Sequence, residues 1–478
     1  MLGLIDLRLI SIVVALIASA ISSIVILFHT IYYWIGRCDS NSSNYFAHFN
    51  FKFHFKPKVS VIIPIKSEPL DVLGRILHSL SNQSYPINRI EVLVVSDDEE
   101  SYFRRIEEFV YSMFGDRLDV KVYRREKPYG FKAGALNYAL KRCSGKYVFV
   151  FDVDAVPEEA FIEKVVSYLE SNPDVAGLAT KWVSHNGDSS PVAEAQAVSL
   201  EFLTTIFFGG KSKSGSPIII PGSGCAFRRS ALERIGGWNE SFIAEDIELS
   251  VRFILNGLKL SFLNGATVQV ENPETYEAFK KQQARWIYGS AQVLLKYFHR
   301  ILFSRAISWH WKFDLILYLL QYHVLLANFM FAGLALVSLI AGFDMMIPTV
   351  YFSPLLLFLL FLQAYSYYDV ARRMGLNFFR SFVIMGRCTA MAAVLAPLVF
   401  IQSLKLLLNL GEKWYVTPKG SLAKSIRSSS VGELLIGSLG LTMSLLLFAF
   451  GFPFSAFCLF TLSLPYIYVS WKVSRGIW

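Results

Sequence analysis

Long apolar runs lie near both ends of the chain, and short alternating runs lie between them. The first run, residues 9–35, carries no Lys, Arg, Asp or Glu over about 27 residues, which is long enough for a helix to cross a hydrocarbon core of about 30 Å. Comparable runs return after residue 310, at 315–341, 349–368, 434–450 and 453–470. This pattern predicts membrane-spanning helices on either side of a soluble domain.

Basic residues beside the apolar runs predict how the chain is oriented. Those that follow the first run are Arg37, Lys52, Lys56 and Lys58. Because Lys and Arg concentrate on the cytoplasmic side of a membrane, we expect the N-terminus outside and the central domain in the cytoplasm. A cleaved signal peptide is the alternative, since residues 18–20 (Ala-Ser-Ala) resemble a cleavage site. The apolar run continues well past that tripeptide, which favours an anchoring helix.

One apolar stretch, residues 381–410, is interrupted by Arg387, Pro397 and Lys405. A single crossing there would place the basic loop that follows it outside the membrane, against the charge rule. The stretch is therefore predicted to be a broken interfacial or re-entrant helix. An ordinary single span with a weak charge bias is the alternative.

Composition agrees with a membrane protein and narrows the classes of function. Hydrophobic residues make up 54% of the chain and charged residues only 17%, which excludes an ordinary soluble protein. The net charge of +9 is compatible with nucleic-acid binding, but much of the basic excess lies beside the apolar runs, so no nucleic-acid partner is expected. The five cysteines are scattered without C-x-x-C spacing, which favours neither a disulfide framework nor a zinc site.

From residue 58 the apolar runs become short and rich in β-branched residues, and they alternate with amphipathic segments. The predicted strands are 59–64, 91–96, 120–123 and 146–151, and the predicted helices are 70–81, 102–113 and 132–142. This alternation is typical of a parallel sheet built of βαβ units. Ligands bind beyond the carboxyl ends of such strands, where Asp97 and Asp98 follow one strand and Asp152 and Asp154 another.

Asp152 and Asp154 have the spacing of a metal-binding pair. Carboxylates at i and i+2 on leaving a strand can converge on one hard cation, and Mg²⁺ often takes one or two carboxylates together with substrate phosphates. A solvated acidic turn is the simpler alternative. Asp97 and Asp98, taken alone, are typical helix-capping or turn residues.

With its neighbouring segments, this part of the chain resembles the processive membrane glycosyltransferases of family 2, which are the cellulose, mannan and hyaluronan synthases. Residues 59–64 (VSVIIP) look like the family's opening strand, and residues 132–137 (KAGALN) look like its K-A-G-x-L-N element. Asp97 and Asp98 match the acidic pair that contacts the nucleotide, and residues 152–154 (DVD) match the metal-binding D-x-D motif.

The resemblance continues further along the chain. Residues 244–246 (AED) stand where the family has T-E-D, with Ala replacing Thr and both acids kept. Residues 282–286 (QQARW) satisfy Q-x-x-R-W in full, and residues 414–420 (WYVTPKG) look like the gating loop of cellulose synthases. The motifs follow one another in the family's order, which chance does not readily produce.

The resemblance implies a role for each motif. The metal ligands for Mg²⁺ or Mn²⁺ would be Asp152 and Asp154. The nucleotide and its diphosphate would be bound by Asp97, Asp98, Lys132, Gln282, Arg285 and Thr417. The catalytic residues would be Asp246, as the base, and Glu245, and the acceptor sugar would stack on Trp286.

Glycosyl transfer requires these residue types for physical reasons. The departing diphosphate needs positive groups, and Lys132 and Arg285 can supply them. A carboxylate base, here Asp246, must reach the acceptor hydroxyl from the face opposite the leaving group, which inverts the anomeric centre. Simpler roles remain open: Asp246 as a helix-start acid, Arg285 as a surface arginine and Trp286 as an interfacial-belt tryptophan.

The resemblance also implies the architecture, which is an α/β GT-A (Rossmann-like) cytoplasmic domain plus an α-helical transmembrane bundle. The expected parts are an N-terminal transmembrane helix (1–36), the glycosyltransferase domain (56–300), transmembrane and interfacial helices (301–410), a cytoplasmic gating loop (411–430) and C-terminal transmembrane helices (431–478). The basic loop could also be a plain connector.

The expected function is inverting transfer of a hexose from a nucleotide sugar onto a growing β-linked polysaccharide at the cytoplasmic face of the plasma membrane, with translocation of the chain. The expected partners are the nucleotide sugar, a glycan or lipid acceptor and membrane lipids. Transfer of one sugar to a membrane lipid of the ceramide or polyprenyl phosphate type is the first alternative. A nucleotide-binding transporter or scaffold is the second.

Overall fold

The computed structural model describes residues 2–37, 56–412 and 428–478. Its first element is a long helix, α1 (Leu2–Arg37). Within the described residues, six helical segments are long and apolar enough to cross a membrane, and the first of them is Leu9–Arg37. The predicted gating-loop motif 414–420, with Thr417, lies outside the described residues.

The soluble domain is a sheet of eight strands with helices packed around it. Its elements, in chain order, are β1 (Val59–Ile65), α2 (Leu70–Ser81), β2 (Ile90–Ser96), α3 (Glu100–Phe114), β3 (Asp119–Arg124), α4 (Phe131–Leu140), β4 (Tyr147–Val150), β5 (Val156–Pro157), α5 (Phe161–Ser171), β6 (Val175–Ser184), α6 (Pro191–Glu201), α7 (Phe208–Lys213), β7 (Cys225–Arg228), α8 (Arg229–Arg234), α9 (Glu245–Leu255), β8 (Lys259–Val270) and α10 (Tyr276–Phe303). A π-helical turn, Phe202–Phe207, joins α6 to α7.

The strands lie in the order β3-β2-β1-β4-β7-β6-β8-β5. The first four of these are parallel neighbours, which confirms the predicted βαβ half. The other half is mixed: β7 is antiparallel to both β4 and β6, β6 is parallel to β8, and β5 is antiparallel to β8. Because β1, β2 and β4 are parallel, their carboxyl ends lie together at one edge of the sheet.

The hydrophobic pattern explains why these elements form. The central strands β1 and β2 are buried along almost their whole length, as Val- and Ile-rich parallel strands are when helices cover both faces of the sheet. Helix α2 buries Leu73, Ile76, Leu77 and Leu80 on one face, at the spacing of an amphipathic helix. Burial of these strands in the core thus fixes the positions of the strand ends, which Asp97, Asp152 and Asp154 follow.

The rest of the described chain is helical. The helices are α11 (Trp309–Leu320), α12 (Ala327–Ala341), α13 (Ser353–Arg373), α14 (Phe378–Ala393), α15 (Ala396–Leu407), α16 (Val431–Ala449) and α17 (Pro453–Ser474). The candidate spans among them are His323–Ala341, Ser353–Arg373, Phe378–Leu407, Val431–Ala449 and Pro453–Ser474.

The predicted run 315–341 is not one helix, and this is a correction. The helix α11 ends at Leu320, a short 3₁₀ turn covers His323–Leu326, and α12 starts at Ala327. Just before the run, buried Asp314 in α11 accepts hydrogen bonds from Lys211 in α7 and from Tyr32 in α1. That ion pair holds α11 against the soluble domain.

The interrupted stretch 381–410 contains the expected break. The helix α14 ends at Ala393 and α15 starts at Ala396, just before Pro397, whose ring cannot continue a helix with full hydrogen bonding. In α14, both Arg380 and Arg387 donate to Glu194 of α6. These ion pairs tie α14 to the soluble domain, as an interfacial helix requires, and the interfacial position itself stays a prediction.

A closed ring of helices stands next to the domain. Around this ring, α1 packs against α13, α13 against α14, α14 against α17, α17 against α12, and α12 against α1. We call it the helix ring.

Helix α1 meets the soluble domain through two glycines. A methyl group at Gly36 would lie 1.9 Å from the carbonyl oxygen of Ile206, and one at Gly210 would lie 2.2 Å from that of Tyr32. The two backbones approach this closely only because neither glycine has a Cβ atom. We call this contact the glycine junction.

Asp344 forms a cap that is expected to contribute to stability. It is buried, and its carboxylate accepts from the backbone N–H of Phe454 at 2.8 Å and of Ser455 at 3.1 Å, at the start of α17. Loss of such a cap typically costs about 1 to 2 kcal/mol. We therefore expect Asp344→Ala to lower the free energy of unfolding by that amount, measured by denaturant titration in detergent. Asp344→Asn, which keeps one acceptor oxygen, should recover part of the loss, and equal unfolding of all three proteins would contradict the prediction.

Candidate active site

A cavity of about 1530 Å³ begins at the carboxyl edge of the parallel strands and continues into the helix ring. The predicted site residues that line it are Asp97, Lys132, Asp152, Asp154, Glu245, Asp246, Gln282, Arg285 and Trp286. The structure therefore brings together residues that are far apart in sequence. Of the predicted site residues that it describes, Asp98 alone does not line the cavity.

The pair Asp152 and Asp154 lies in the turn after β4. The backbone N–H of Asp152 donates to the Ser223 hydroxyl at 2.8 Å, and the Asp154 carboxylate accepts from the backbone N–H of Glu271 at 3.1 Å. In the part of the chain that the structure describes, no cluster of three or more His, Cys, Asp or Glu is arranged to hold a metal. The carboxylates of Asp152 and Asp154 are oxygen donors of the kind that Mg²⁺ takes together with phosphate or water ligands, and their role as metal ligands stays a prediction.

Lys132 lies at the start of α4 and is almost fully buried. Its ammonium group donates to the Asp152 carboxylate at 2.6 Å and to the Gly222 carbonyl at 2.6 Å, and lies 3.5 Å from Glu245. Burial lowers the pKa of Lys132, but the negative charges of Asp152 and Glu245 outweigh burial and leave the pKa above its ordinary value. Lys132 is therefore a fixed positive charge beside the carboxylates.

Glu245 and Asp246 begin α9, and Glu245 is buried. Burial raises the pKa of both carboxyls, against the opposing charge of Lys132. A methyl group at Gly222 would lie 3.1 Å from the Lys132 ammonium, 3.2 Å from the Asp246 carboxylate and 3.4 Å from the Glu245 carboxylate. The backbone at Gly222 is thus where these three charged groups meet, and a side chain there would crowd them.

Helix α10 supplies the opposite wall of the site. Gln282, Arg285 and Trp286 are spaced i, i+3, i+4, which places them on one face of the helix, and all three line the cavity. The side-chain oxygen of Gln282 is buried and has no hydrogen-bond partner among the described residues. The helix is held in place by the Thr275 hydroxyl, which accepts from the Ala278 N–H, and by Lys280, which pairs with Glu433 of α16 at 3.0 Å.

Asp98 does not line the cavity, and its contact with the nucleotide stays a prediction. Its carboxylate accepts from the Ser67 N–H at 2.7 Å and from the Ser96 hydroxyl at 2.8 Å, and the residue is buried away from the cavity. Ser67 has a positive φ of 64°, a conformation that a non-glycine residue keeps only when its surroundings hold it. Asp98 thus holds the turn after β1 in place.

Two further residues were not among the predicted ones: Glu68, which lines the cavity, and Arg125, which supports Asp97 from behind it. Arg125 is buried and pairs in bidentate fashion with Asp97, at 2.6 and 2.5 Å, and it also donates to the carbonyls of Tyr129 and Phe131. Glu68 follows β1 and lines the cavity. Burial, reinforced by the charges of Asp154 and Asp152, raises its pKa to about 8. The strand-end rule that selects Asp97 could have found Glu68, whereas nothing distinguishes Arg125 from the basic residues around it.

Arg125 is expected to position the donor side of the site. Gly130 and Phe131 adopt positive φ angles of 73° and 49°, directly before Lys132, and the Arg125 guanidinium bonds to the carbonyl of Phe131. A lysine ammonium cannot reproduce this planar set of bonds. We expect Arg125→Lys to weaken nucleotide binding and to lower the free energy of unfolding by about 1 to 3 kcal/mol, measured by calorimetry and denaturant titration.

Arg104 offers a control, because its side chain is 68% exposed and pairs with Glu100 and Glu107 on the surface of α3. Exposed pairs contribute about 0 to 1 kcal/mol, so Arg104→Lys should leave both measurements almost unchanged. Equal effects of the two substitutions would contradict the special role of Arg125.

Comparison with known proteins agrees with this geometry. Residues 57–289 match the model of a family described as "Glycosyltransferase like family 2". A probable glycosyltransferase of Sulfolobus acidocaldarius is 32% identical over 423 residues, covering 87% of this chain and 89% of that protein. A probable glucomannan 4-beta-mannosyltransferase of Arabidopsis thaliana is 31% identical over 270 residues, covering 54% of this chain and 48% of that protein. The chain thus spans about half the length of this plant relative.

Among solved structures, a mannosyltransferase from Pyrobaculum calidifontis in complex with GDP-Man and Mn²⁺ superimposes with a TM-score of 0.52 at 18% identity, covering 83% of this chain and 99% of that one. This likeness concerns the fold, which is a GT-A-type α/β domain. The similarity to the Sulfolobus protein extends over nearly the whole of both chains. The chain therefore belongs to glycosyltransferase family 2.

Proposed function

We propose that the protein transfers a hexose, with inversion, from a nucleotide sugar onto the end of a growing β-linked polysaccharide and passes the product through the helix ring. One observation carries this proposal: a single cavity runs from Asp152 and Asp246 into the ring. Its volume of about 1530 Å³ exceeds the ~300 to 1,000 Å³ typical of small-molecule sites. A site for one donor and one sugar does not need that extension.

The lining of the extension suits a sugar chain. Aromatic and amide side chains are among its lining residues, including Gln321, Tyr322, Asn328 and Tyr367. Flat apolar ring faces pack against sugar rings, while amides and hydroxyls can hydrogen-bond to sugar hydroxyls. The Arabidopsis relative is a probable glucomannan 4-beta-mannosyltransferase, which supports a β-linked polymer as the product.

For the donor, we propose GDP-mannose with Mg²⁺ or Mn²⁺. The Arabidopsis relative is a probable mannosyltransferase, and the Pyrobaculum protein binds GDP-Man and Mn²⁺, which supports this choice. Asp152 and Asp154 are the residues that would hold the cation, which would neutralise charge on the departing diphosphate.

Other residues of the protein would stabilise the leaving group, accept the proton and bind the acceptor. Lys132 and Arg285 would stabilise negative charge on the diphosphate, since positive groups fixed in a buried site need little reorganisation. Asp246 would accept the proton of the acceptor hydroxyl from the opposite face, so an α-linked donor would give a β-linked product. Trp286 would support the acceptor ring, and the cavity wall behind it would exclude water that could hydrolyse the donor.

For its location, we propose a multi-pass protein of the plasma membrane with the catalytic domain in the cytoplasm. Arg37 at the end of α1 and Arg373 at the end of α13 lie on the same side as the domain, and both pair with Asp369. Basic residues at these helix ends are typical of the cytoplasmic side.

A second candidate function rests on the outer part of the cavity. Leu357, Phe361 and Phe457 line it and would suit the hydrocarbon tail of a lipid acceptor. Transfer of a single sugar to a membrane lipid therefore remains the competing proposal.

Product analysis distinguishes the two proposals. Purified protein in vesicles would receive radiolabelled GDP-mannose and other nucleotide sugars, a short β-linked oligosaccharide as primer, and Mg²⁺, Mn²⁺ or EDTA. We expect a high-molecular-weight, glycosidase-sensitive product that EDTA abolishes. A product one sugar long that extracts with lipid would establish the second candidate, and no incorporation from any donor would contradict both.

A further inference from the structure

Ala244 directly precedes the two acids of α9 and stands where the resembled family has Thr. It occupies the N-cap position of α9, and its side chain makes no capping hydrogen bond. Thr can cap a helix with its side-chain oxygen, whereas Ala has no such oxygen. The helix that carries the proposed base therefore begins without a side-chain cap, and the small residue at this position needs another explanation.

The explanation lies in the packing of Ala244 against Gly289 of α10. A methyl group at Gly289 would lie 2.5 Å from the Cβ atom of Ala244 and 3.2 Å from its backbone nitrogen. Carbon atoms pack at about 3.5 to 4.0 Å, so the two segments can meet this closely only because Gly289 has no side chain. Ala244 is also buried. We call this packing the Ala–Gly contact.

The Ala–Gly contact joins the two helices on which sugar transfer is proposed to depend. Gly289 follows Trp286 by three residues and Arg285 by four, so it lies on the face of α10 that carries them. On the other side of the contact, Asp246 follows Ala244 by two residues, in the first turn of α9. The start of the helix with the proposed base therefore rests directly on the wall where the acceptor is proposed to lie.

Hydrogen bonds align the same two segments. The side-chain amide of Gln292 accepts from the backbone N–H of Ile243 at 3.3 Å and donates to the carbonyl of Ser241 at 3.1 Å. Further along α10, the Tyr297 hydroxyl donates to the buried carboxylate of Glu248 at 2.5 Å. These bonds oppose sliding of the segment 241–248 along α10, while the Ala–Gly contact limits how closely the two can approach.

We infer that Ala244 and Gly289 are positioning residues for sugar transfer, whose contact sets the distance between the Asp246 carboxylate and an acceptor hydroxyl held against Trp286. The inference rests on the proposed function, in which Asp246 is the base and Trp286 supports the acceptor. Misplacement of reacting groups by 1 Å can slow a reaction by about 100-fold. A larger side chain at the Ala–Gly contact would move α10 away from the base and leave the donor side, on β4 and α4, in place.

The variant Gly289→Ala tests this role through the fate of the donor. With a labelled nucleotide sugar and a primer, we expect transfer to the primer to fall by about 10- to 100-fold, while hydrolysis of the donor falls far less. In hydrolysis, the oxygen of water bonds to the anomeric carbon, the nucleoside diphosphate leaves and a proton is released to solvent. The ratio of hydrolysis to transfer is independent of the amount of folded enzyme, so a purely structural role would not change it. An unchanged ratio would overturn the inference.

A double variant tests whether the Ala–Gly contact is the cause. Ala244→Gly removes the Cβ atom that the new methyl group would meet, and Gly is tolerated at an N-cap. We expect Ala244→Gly with Gly289→Ala to recover most of the transfer, and most of the several degrees of melting temperature, that Gly289→Ala alone loses. Gly209→Ala, whose methyl group meets nothing within 4 Å, should change neither quantity. Equal losses in the single and the double variant would overturn the inference.

Failure of the proposed function would give a different result. If the unaltered protein transferred one sugar to a lipid and did not extend the primer, polymer synthesis would be refuted, and the inference would require the same rise of hydrolysis relative to lipid glycosylation. If the unaltered protein consumed no donor, both proposals would be refuted. Normal primer extension by Gly289→Ala would refute the positioning role alone. Calorimetric binding of GDP and UDP, which we expect to be unchanged in this variant, checks that the donor side is intact.

Discussion

Replacing Asp246 by Asn is expected to slow sugar transfer by about 10²- to 10⁴-fold, the usual contribution of a general base. The amide keeps the shape of the carboxylate but cannot take the proton of the acceptor hydroxyl. Burial raises the pKa of Asp246, against the opposing charge of Lys132, and a base works best when its pKa is not far below the working pH. The loss should therefore fall on turnover and leave donor affinity nearly unchanged.

Turnover of labelled donor and calorimetric binding of GDP and UDP would separate these two effects. Asp116→Asn is a suitable control, because Asp116 is exposed in the turn after α3, and it should change neither quantity. Turnover at the rate of the unaltered protein would show that the base lies elsewhere. Loss of nucleotide binding together with turnover would show that Asp246 serves the donor.

Replacing Gly210 by Ala is expected to lower the free energy of unfolding by about 3 kcal/mol or more, at the upper end of the cost of overpacking. The new methyl group would lie 2.2 Å from the carbonyl oxygen of Tyr32, and a backbone atom cannot move aside as a side chain can. Relief requires α1 to separate from α7, which also disturbs the bonds of Lys211 and Tyr32 to Asp314. Gly36→Ala meets the backbone of Ile206 and should behave in the same way.

The adjacent Gly209 is the matched control for the glycine junction. A methyl group there meets nothing within 4 Å, and Ala is favoured over Gly in a helix by about 1 kcal/mol. Denaturant titration in detergent should therefore find Gly209→Ala as stable as the unaltered protein or more so. If the alanine variants at 209 and 210 unfolded alike, the close approach of the two helices would be refuted.

The first half of the domain could be predicted from local pattern alone. Strands such as Val59–Ile65 and Ile90–Ser96 are β-branched runs between amphipathic helices, and that alternation determines a parallel sheet. The strand Cys225–Arg228 could not be predicted in this way. It has only four residues and is a strand because it pairs with β4 on one side and β6 on the other. Such tertiary pairing has no local signal.

The residues of the candidate site also fall into two groups, those that local sequence predicts and those that it does not. Asp97, Asp152 and Asp154 follow from their positions at strand ends, whereas Asp246 and Arg285 were selected by family resemblance. The contacts that complete the site depend on the folded chain. Arg125 reaches Asp97, and the glycine backbone at residue 222 meets charged groups from α4 and α9. Neither contact corresponds to a recognisable spacing of residues in the sequence.

With its ammonium already on Asp152, Lys132 offsets part of the negative charge of the pocket. Carboxylates grouped this closely in a buried site would otherwise repel one another and favour protonation. If the proposed cation enters with the donor, it would compete with Lys132 for Asp152, and the diphosphate would in turn offer Lys132 a new anionic partner. Binding would thus be an exchange of ion pairs and not the addition of charge. A pocket of this kind would favour an electroneutral combination of metal and diphosphate over either component alone.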